Sequence, residues 1–320
     1  MIRVAAPAPG LPTAMVGAFA VDRVLGEPPA SLHPVAAFGS LMNALEARVH
    51  ADSRRAGMAY TAVGIATGLT AAAVLRRMLG RTGSTVVAGS IAIAGCMLER
   101  EGVQIAERLR AGDIIGARNR LGTLVGRTTD DLTEHEIARA VVESLAENTV
   151  DAVTATLFWG SVGGAAGALV HRAVNTMDAM VGHRSDRYRR FGWASARLDD
   201  VLNWVPARLT ALATMVAVPS RAGTIWRIVR RDARRHPSPN GGVVEAAFAA
   251  ALDVRIGGRN RYAGTVEDRG VLGDGPAPVA DDIERAARLA RRVGAITAIG
   301  CVVVACAGST VARRRAGWSR

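Results

Sequence analysis

Three carboxylates with helical spacing are the first candidates for chemistry in this sequence. Glu143, Glu147 and Asp151 lie at i, i+4 and i+8 in ESLAENTVD, so an α-helix would carry them on one face. The stripe runs directly into the apolar segment 152–170. Ionisable side chains beside apolar segments are costly, and they are therefore functional candidates by default. The remainder of the sequence must therefore explain why several carboxylates lie at the edge of an apolar segment.

Three further polar clusters accompany the stripe. Asn175 and Asp178 would share a helical face, and a His-Pro-Ser-Pro-Asn turn leads into a helix that carries Glu245. The remaining candidates for substrate binding are Asn148, Arg187, Arg197, Asp199, Asp200, Asn203, Arg208, Ser238, Asn240 and Asn260. Taken singly, each cluster is typical of helix caps and ion pairs. Four such clusters in one chain favour a single composite polar site.

The residue types define the chemistry of such a site. Carboxylate and amide oxygens are ligands that Mg²⁺ prefers, and arginines bind phosphate groups. The sequence contains no G-x-S-x-G motif, no Walker A motif and no context typical of a catalytic cysteine. These residues predict an enzyme that handles a phosphorylated substrate with Mg²⁺.

The elements that position these residues are predicted to be membrane helices. The chain of 320 residues is 49% hydrophobic with a mean hydropathy of +0.18, and several windows carry no charge. Segments 56–75 and 293–312 match one bilayer crossing, and 82–98 is slightly short. Segments 152–170 and 201–219 are weaker candidates, because the first is glycine-rich and the second contains Pro206 and Arg208. We therefore predict a mainly α-helical, polytopic integral membrane protein with a single membrane-embedded domain.

Polar segments at 99–149, 172–200 and 220–292 separate the apolar windows. Residues 99–142 read as amphipathic helices, with a capping box from Thr133 to Glu136. Residues 256–282 are rich in Gly, Pro and Asp and are predicted to be loop. Basic loops on alternating sides conflict with the positive-inside tendency, so the weaker windows are predicted to be re-entrant or packed on other helices, with 56–98 as a hairpin.

The net charge of +12 reflects clusters of arginine beside the apolar windows. No zinc finger, RNP motif or aromatic basic face accompanies them, which argues against nucleic acid as a partner. Binding of anionic lipid headgroups and of phosphorylated substrates accounts for them better. Cys96, Cys301 and Cys306 lie in apolar windows without metal-binding spacing and are predicted to be reduced thiols.

Four long motifs together resemble one family. They are DRVLGEPPASLHPVAAFG (22–39), ESLAENTVDAVTATLFWG (143–160), AVNTMDAMVGHRSDRYRRFGWASARLDDVLNWVPARLTA (173–211) and HPSPNGGVVEAAFAAALDVRIGGRNRYAG (236–264). In content and order they resemble the adenosylcobinamide-phosphate synthases of cobalamin biosynthesis, the CobD or CbiB family. Glu27, Gly242, Val243 and Arg259 depart from the familiar pattern at single positions.

This resemblance implies an ATP-dependent amide ligase in the cell membrane, with its site facing the cytoplasm. Such an enzyme joins adenosylcobyric acid to (R)-1-amino-2-propanol O-phosphate, or to a related amino-alcohol phosphate. Under this resemblance, Glu143, Glu147 and Asp151 would hold Mg²⁺ or deprotonate the incoming ammonium. Arg187, Arg197 or Arg208 would bind phosphate, and His33 or His236 would carry a proton.

Two other classes remain open on the residues alone. A Mg²⁺-dependent membrane prenyl- or alcohol-phosphotransferase would need paired Asp motifs, to which Asp199-Asp200 and Asn175/Asp178 correspond only loosely. A transporter would be expected to show internal repeats of broken helices, and no convincing repeat is present.

Overall fold

The computed structural model describes residues 10–29, 32–183, 185–262 and 265–317, and this part of the chain is mainly α-helical, as predicted. The α-helices are α1 (Leu11–Leu25), α2 (Pro34–Val49), α3 (Arg54–Ala92), α4 (Gly95–Arg110), α5 (Ile114–Leu121), α6 (Glu134–Thr149), α7 (Ala155–Val181), α8 (Trp193–Leu202), α9 (Trp204–Ala217), α10 (Ala222–Asp232), α11 (Gly241–Leu252) and α12 (Ala280–Gly317). A π-helical turn, Val150–Thr154, connects α6 to α7. The predicted capping box at the start of α6 is confirmed, because the side chains of Thr133 and Glu136 each bond the other's backbone N–H.

The prediction of loop structure from residue 256 is wrong for its first part. Strands β1 (Ile256–Tyr262) and β2 (Thr265–Leu272) form an antiparallel pair, with Arg259 opposite Asp268 and Asn260 opposite Glu267. A bulge between Gly257 and Arg259 interrupts the register. The strands lack the alternation of apolar and polar residues that marks a half-buried strand, so their composition resembles that of a loop.

The chain forms two compact units. The first unit comprises residues 1–94, 151–202 and 297–320, and the second comprises 95–150 and 203–296. The first therefore contains α1 to α3 together with α7 and α8. The second contains α4 to α6, α9 to α11 and the strand pair.

In the first unit, α3 packs along α7 through small side chains. Ala72, Ala88 and Ala92 of α3 share a buried cluster with Ala165 and Ala168 of α7. Small residues allow helix backbones to approach closely, which is the usual basis of helix packing inside membranes. Helix α3 is interrupted at Gly80, which has left-handed backbone angles, so the predicted hairpin window contains a break between its two halves.

Helix α7 bends sharply back on itself at Gly164, where φ is +62°. A Cβ atom placed on Gly167 would lie 2.1 Å from the carbonyl oxygen of Trp159. In an uninterrupted α-helix these residues would be separated by about 12 Å along the axis. Segment 152–170 is therefore folded back within its own length at Gly164.

Within the described residues, three helical stretches are long and apolar enough to cross a membrane, namely Arg54–Arg110, Glu134–Val181 and Ala280–Ala307. They include the windows 56–75, 82–98 and 152–170 and most of 293–312. Helix α9, which contains most of the window 201–219, has 14 residues and is about 21 Å long, so it is shorter than the hydrocarbon core. These features are those of a mainly helical membrane protein.

Candidate active site

In the second unit, Glu143 is buried in a dense set of hydrogen bonds. Its Oε2 accepts from Nη2 of Arg127 at 2.5 Å, and its Oε1 accepts from the backbone N–H of Gly257 at 2.8 Å. Arg139, one turn earlier on α6, lies 3.9 Å from the same carboxylate. Both oxygens of Glu143 are therefore engaged by protein groups, and the residue connects α6 to the start of β1.

The bulge in β1 provides the backbone groups for this connection. Gly257 has φ of +82°, and a Cβ atom there would lie 2.0 Å from the carbonyl oxygen of Gly270 on β2. Only glycine fits this close approach of the two strands. Arg139 donates to the carbonyl oxygen of Gly257, and Arg127 and Arg139 both donate to Oδ1 of Asn260. The predicted residue Asn260 thus belongs with Glu143.

A second group of charged residues surrounds Glu147, one turn further along α6. Arg269 of β2 places Nη1 3.9 Å from Oε2 of Glu147 and 3.6 Å from Oε1 of Glu245 on α11. The same Glu245 oxygen lies 3.4 Å from Nε2 of His236. Glu245 and His236 have no exposed side-chain surface, whereas Glu147 is 39% exposed. We call His236 and Glu245 the buried pair, and Glu147 lies on its solvent side.

The surroundings of the buried pair favour the neutral form of each group. Burial raises the pKa of Glu245 well above its ordinary value, and the charges of Glu143 and Glu147 add to that effect. Burial also lowers the pKa of His236, assisted by the positive charge of Arg269. Neither oxygen of Glu245 has a hydrogen-bond partner, and Nε2 of His236 likewise has none. Unsatisfied buried polar atoms are uncommon, and they mark a place where a ligand or a transferred proton would fit.

The turn before α11 positions His236. Ser238 Oγ accepts from the backbone N–H groups of Asn240 and Gly241, which starts the helix. Nδ1 of His236 lies 3.1 Å from the backbone nitrogen of Ser238 and 3.3 Å from its carbonyl oxygen. It can therefore accept from one group or donate to the other, so both neutral tautomers of the ring are accommodated.

Arg208 of α9 supports this turn. Its Nη1 donates to Oδ1 of Asn240 at 2.7 Å, and its Nη2 donates to the carbonyl oxygen of Pro239. The structure thus brings Arg208 together with Ser238 and Asn240, and the guanidinium group binds the protein's own turn. Asn148 bonds the backbone and hydroxyl of Ser144 on α6, and Asn203 is buried at the start of α9.

The first unit contains a separate polar group around Arg172 of α7. Arg172 interacts electrostatically with Glu27, with Asp151 and with His33. His33 caps α2 by accepting the N–H of Val35 at Nδ1, and burial, followed by the charge of Arg172, lowers its pKa. Asp151 lies in the π-helical turn, and such turns are frequent at functional sites. Two predicted catalytic residues, His33 and Asp151, thus both lie within electrostatic range of the same arginine.

Most of the other predicted residues of the first unit are paired with another polar side chain. Asn175 donates to Asp199 at 3.4 Å, and Arg197 lies 3.8 Å from Asp200. Arg187 binds Glu46 at 2.8 Å, and Tyr188 donates to the same carboxylate. The Asp178 carbonyl accepts the N–H of Gly182 where α7 ends.

The stripe of three carboxylates does not form a metal-binding group in the described structure. Both carboxylate oxygens of Glu143 already accept hydrogen bonds, one from Arg127 and one from Gly257. The π-helical turn Val150–Thr154 also interrupts the α-helical i+4 spacing before Asp151. Within the described ranges, no group of three or more His, Cys, Asp or Glu side chains has a geometry that could hold a metal ion.

Four arginines of these groups were not predicted from the sequence. They stand outside the conspicuous arginine clusters of the chain and are Arg127, Arg139, Arg172 and Arg269. Each lies in or beside a segment that reads as ordinary helix or loop. A motif comparison could have identified Arg172, because it directly precedes the quoted motif that starts at residue 173.

Comparison with known proteins identifies relatives that match most of the length of this chain. The family model described as CobD/Cbib protein matches residues 15–290. The cobalamin biosynthesis protein CobD of Mycobacterium tuberculosis (strain ATCC 25618 / H37Rv) is 44% identical over 291 residues, which cover 89% of this chain and 92% of that protein. The CobD proteins of Halalkalibacterium halodurans and Rhodobacter capsulatus are each 40% identical, over 87% and 91% of this chain and 92% and 96% of their own lengths. No solved structure gives a significant match.

A helical membrane protein with a buried polar group in one unit and a partly buried polar group in the other is the class that the fold and the site define. Within that class, this chain belongs to the CobD/CbiB family.

Proposed function

We propose that this protein acts in cobalamin biosynthesis as an adenosylcobinamide-phosphate synthase of the cell membrane. It would form an amide bond between adenosylcobyric acid and (R)-1-amino-2-propanol O-phosphate, or a related amino-alcohol phosphate, with consumption of ATP. Family membership supports the pathway, since the relatives are named cobalamin biosynthesis proteins. The buried pair of His236 and Glu245 behind Glu147 is the observation that supports the chemistry.

Amide formation requires an unprotonated amine, whereas an alkyl ammonium is the dominant form in neutral water. Glu147 is exposed enough to bind an ammonium group, and its Oε1 lies close to Gly241 beside His236. His236, kept neutral by burial, accepts the proton at Nε2, and the attacking nitrogen is then free. Oε1 of Glu245 lies 3.4 Å from the same Nε2, on its interior side.

The carboxyl group of the corrin substrate must also be activated, because its direct condensation with an amine is unfavourable in water. An acyl phosphate formed with ATP is the economical intermediate. The freed amine attacks the acyl carbon, the C–O bond to phosphate breaks, and the amide nitrogen releases its second proton. Mg²⁺ and cationic side chains are proposed to stabilise the phosphoryl oxygens, and a cytoplasmic site would give access to ATP.

A mass-spectrometric assay of purified protein in detergent tests the proposal. Wild type, Glu147→Gln and His236→Asn are given adenosylcobyric acid, aminopropanol phosphate, ATP and Mg²⁺, and the amide product is quantified. Glu134→Gln, an exposed substitution on the same helix as Glu147, serves as the control. We expect product from wild type and control, and a loss of about 100-fold in His236→Asn, as is typical for a general base.

The outcomes distinguish whether the protein catalyses the reaction from whether Glu147 and His236 take part in it. Product from all four proteins would retain the reaction and exclude Glu147 and His236 from its chemistry. Absence of product from the wild type would contradict the proposed function.

A further inference from the structure

A basic cavity opens in the first unit where α3 begins. It has a volume of about 760 Å³ and is lined by Ser53, Arg54, Arg55, Arg189 and Arg190. The segment that carries the last two arginines packs directly on the start of α3. A Cβ atom on Gly57 would lie 1.8 Å from the carbonyl oxygen of Phe191, and Nε2 of His50 lies 3.2 Å from the carbonyl oxygen of Arg187. The backbone of the four arginines is thus fixed around one space, which their side chains line.

The charge of this cavity is largely uncompensated. In the described parts of the chain, Asp52 is the carboxylate within 4 Å of these four arginines, at 3.5 Å from Arg190. Both partners of that pair are more than half exposed, so the pair contributes little attraction. The first turn of α3 contains no acidic residue. Four converging positive charges with one weak counter-ion favour an anionic ligand, and guanidinium groups match phosphate oxygens in geometry.

The surroundings of the cavity place it at the depth of lipid headgroups. Arg54 is the first residue of a stretch long and apolar enough to cross a membrane. Its guanidinium carbon lies 5.1 Å from the ring centroid of Trp193, whose ring is partly exposed. Exposed apolar residues of α3 begin one turn later with Met58 and continue with Val63. An exposed Trp between arginines and an apolar helix surface is typical of the membrane–water interface.

We propose that this cavity binds the phosphate group of an anionic membrane phospholipid, such as a phosphatidylglycerol. The four arginines bind the phosphodiester, and the acyl chains lie along the exposed apolar surface of α3. This site is independent of the proposed amide ligation and of the residues assigned to it. Its effect is to anchor the start of α3 at an anionic leaflet.

Native mass spectrometry of the detergent-released protein tests this site directly. The protein is titrated with phosphatidylglycerol, phosphatidylcholine or inorganic phosphate, and bound adducts are counted. The test variant is Arg55→Gln/Arg189→Gln. The control is Arg100→Gln/Arg255→Gln, which removes two exposed arginines of the second unit. A third variant, Arg55→Lys/Arg189→Lys, retains both positive charges and controls for misfolding caused by substitution at these two positions.

We expect phosphatidylglycerol to bind the wild type and the control equally, and to bind the test variant about tenfold more weakly because two cationic contacts are lost. The lysine variant should retain the preference for phosphatidylglycerol over phosphatidylcholine. Equal binding by the test variant and the control would overturn the proposal. Inorganic phosphate binding with the same arginine dependence, without a preference for phosphatidylglycerol, would also overturn it and assign the cavity to a soluble phosphate.

Discussion

Glu143 and Glu147 lie one turn apart on α6, but only Glu143 is buried in a salt bridge. Replacing it by Gln leaves the guanidinium of Arg127 buried without its counter-charge. We expect Glu143→Gln to lower the free energy of unfolding by about 3 kcal/mol, as when one partner of a buried pair is removed. Thermal unfolding in detergent measures this loss, and Glu147→Gln should leave the unfolding midpoint nearly unchanged. Equal midpoints for Glu143→Gln and wild type would contradict the structural role of Glu143.

Glu245 should make stability depend on pH. Its folded-state pKa is raised well above 4.5, so its stabilising contribution is complete below the unfolded-state pKa and is lost as pH rises through the folded-state pKa. Glu245→Gln has no such group, and its stability relative to wild type should therefore rise by more than about 1 kcal/mol between pH 5 and pH 8. Unfolding midpoints of both proteins across this range measure the difference. Exposed Glu107→Gln is the control, and a constant difference between Glu245→Gln and wild type would oppose the burial argument.

The sequence predicted the carboxylates of this region but not their partners. Glu143 and Glu147 stand out because the i, i+4 spacing is local. The arginines that define their environments, Arg127 and Arg269, come from a turn before α6 and from β2. Such partners depend on tertiary folding, and local spacing carries no signal for them.

At the scale of elements, the apolar windows predicted where helices occur but not where those helices are interrupted. The windows 56–75 and 152–170 lie within helical stretches that could cross a membrane, yet Gly80 and Gly164 break those helices. Gly80 lies just beyond the window 56–75, and Gly164 is one of four glycines in 152–170, so composition alone does not identify which glycine takes left-handed angles. The π-helical turn at Val150–Thr154 and the bulge in β1 are likewise set by packing.

The bend in α7 gives a test with a control one residue from the break. A methyl group at position 167 would meet the backbone oxygen of Trp159, whereas a Cβ atom at Gly163 has no neighbour within 4 Å. We expect Gly167→Ala to lower the free energy of unfolding by about 1–3 kcal/mol, since the backbone must shift to relieve the overlap. Gly163→Ala should be neutral or slightly stabilising. Similar unfolding midpoints for the two variants in detergent would show that α7 does not fold back at Gly164.

At the scale of the whole molecule, exposed apolar side chains should identify the surface that faces lipid. Leu69 of α3 is 48% exposed within a stretch that could cross a membrane, and Ile115 of α5 is 71% exposed on a short polar helix. In water the two sites would tolerate arginine equally, because neither side chain is buried. In a bilayer, arginine at position 69 costs about 3 kcal/mol of insertion free energy, whereas arginine at position 115 costs little. We therefore expect Leu69→Arg to reduce the amount of protein that resists alkaline extraction from membranes, and Ile115→Arg to match wild type. Equal retention of both variants would mean that α3 does not present Leu69 to lipid.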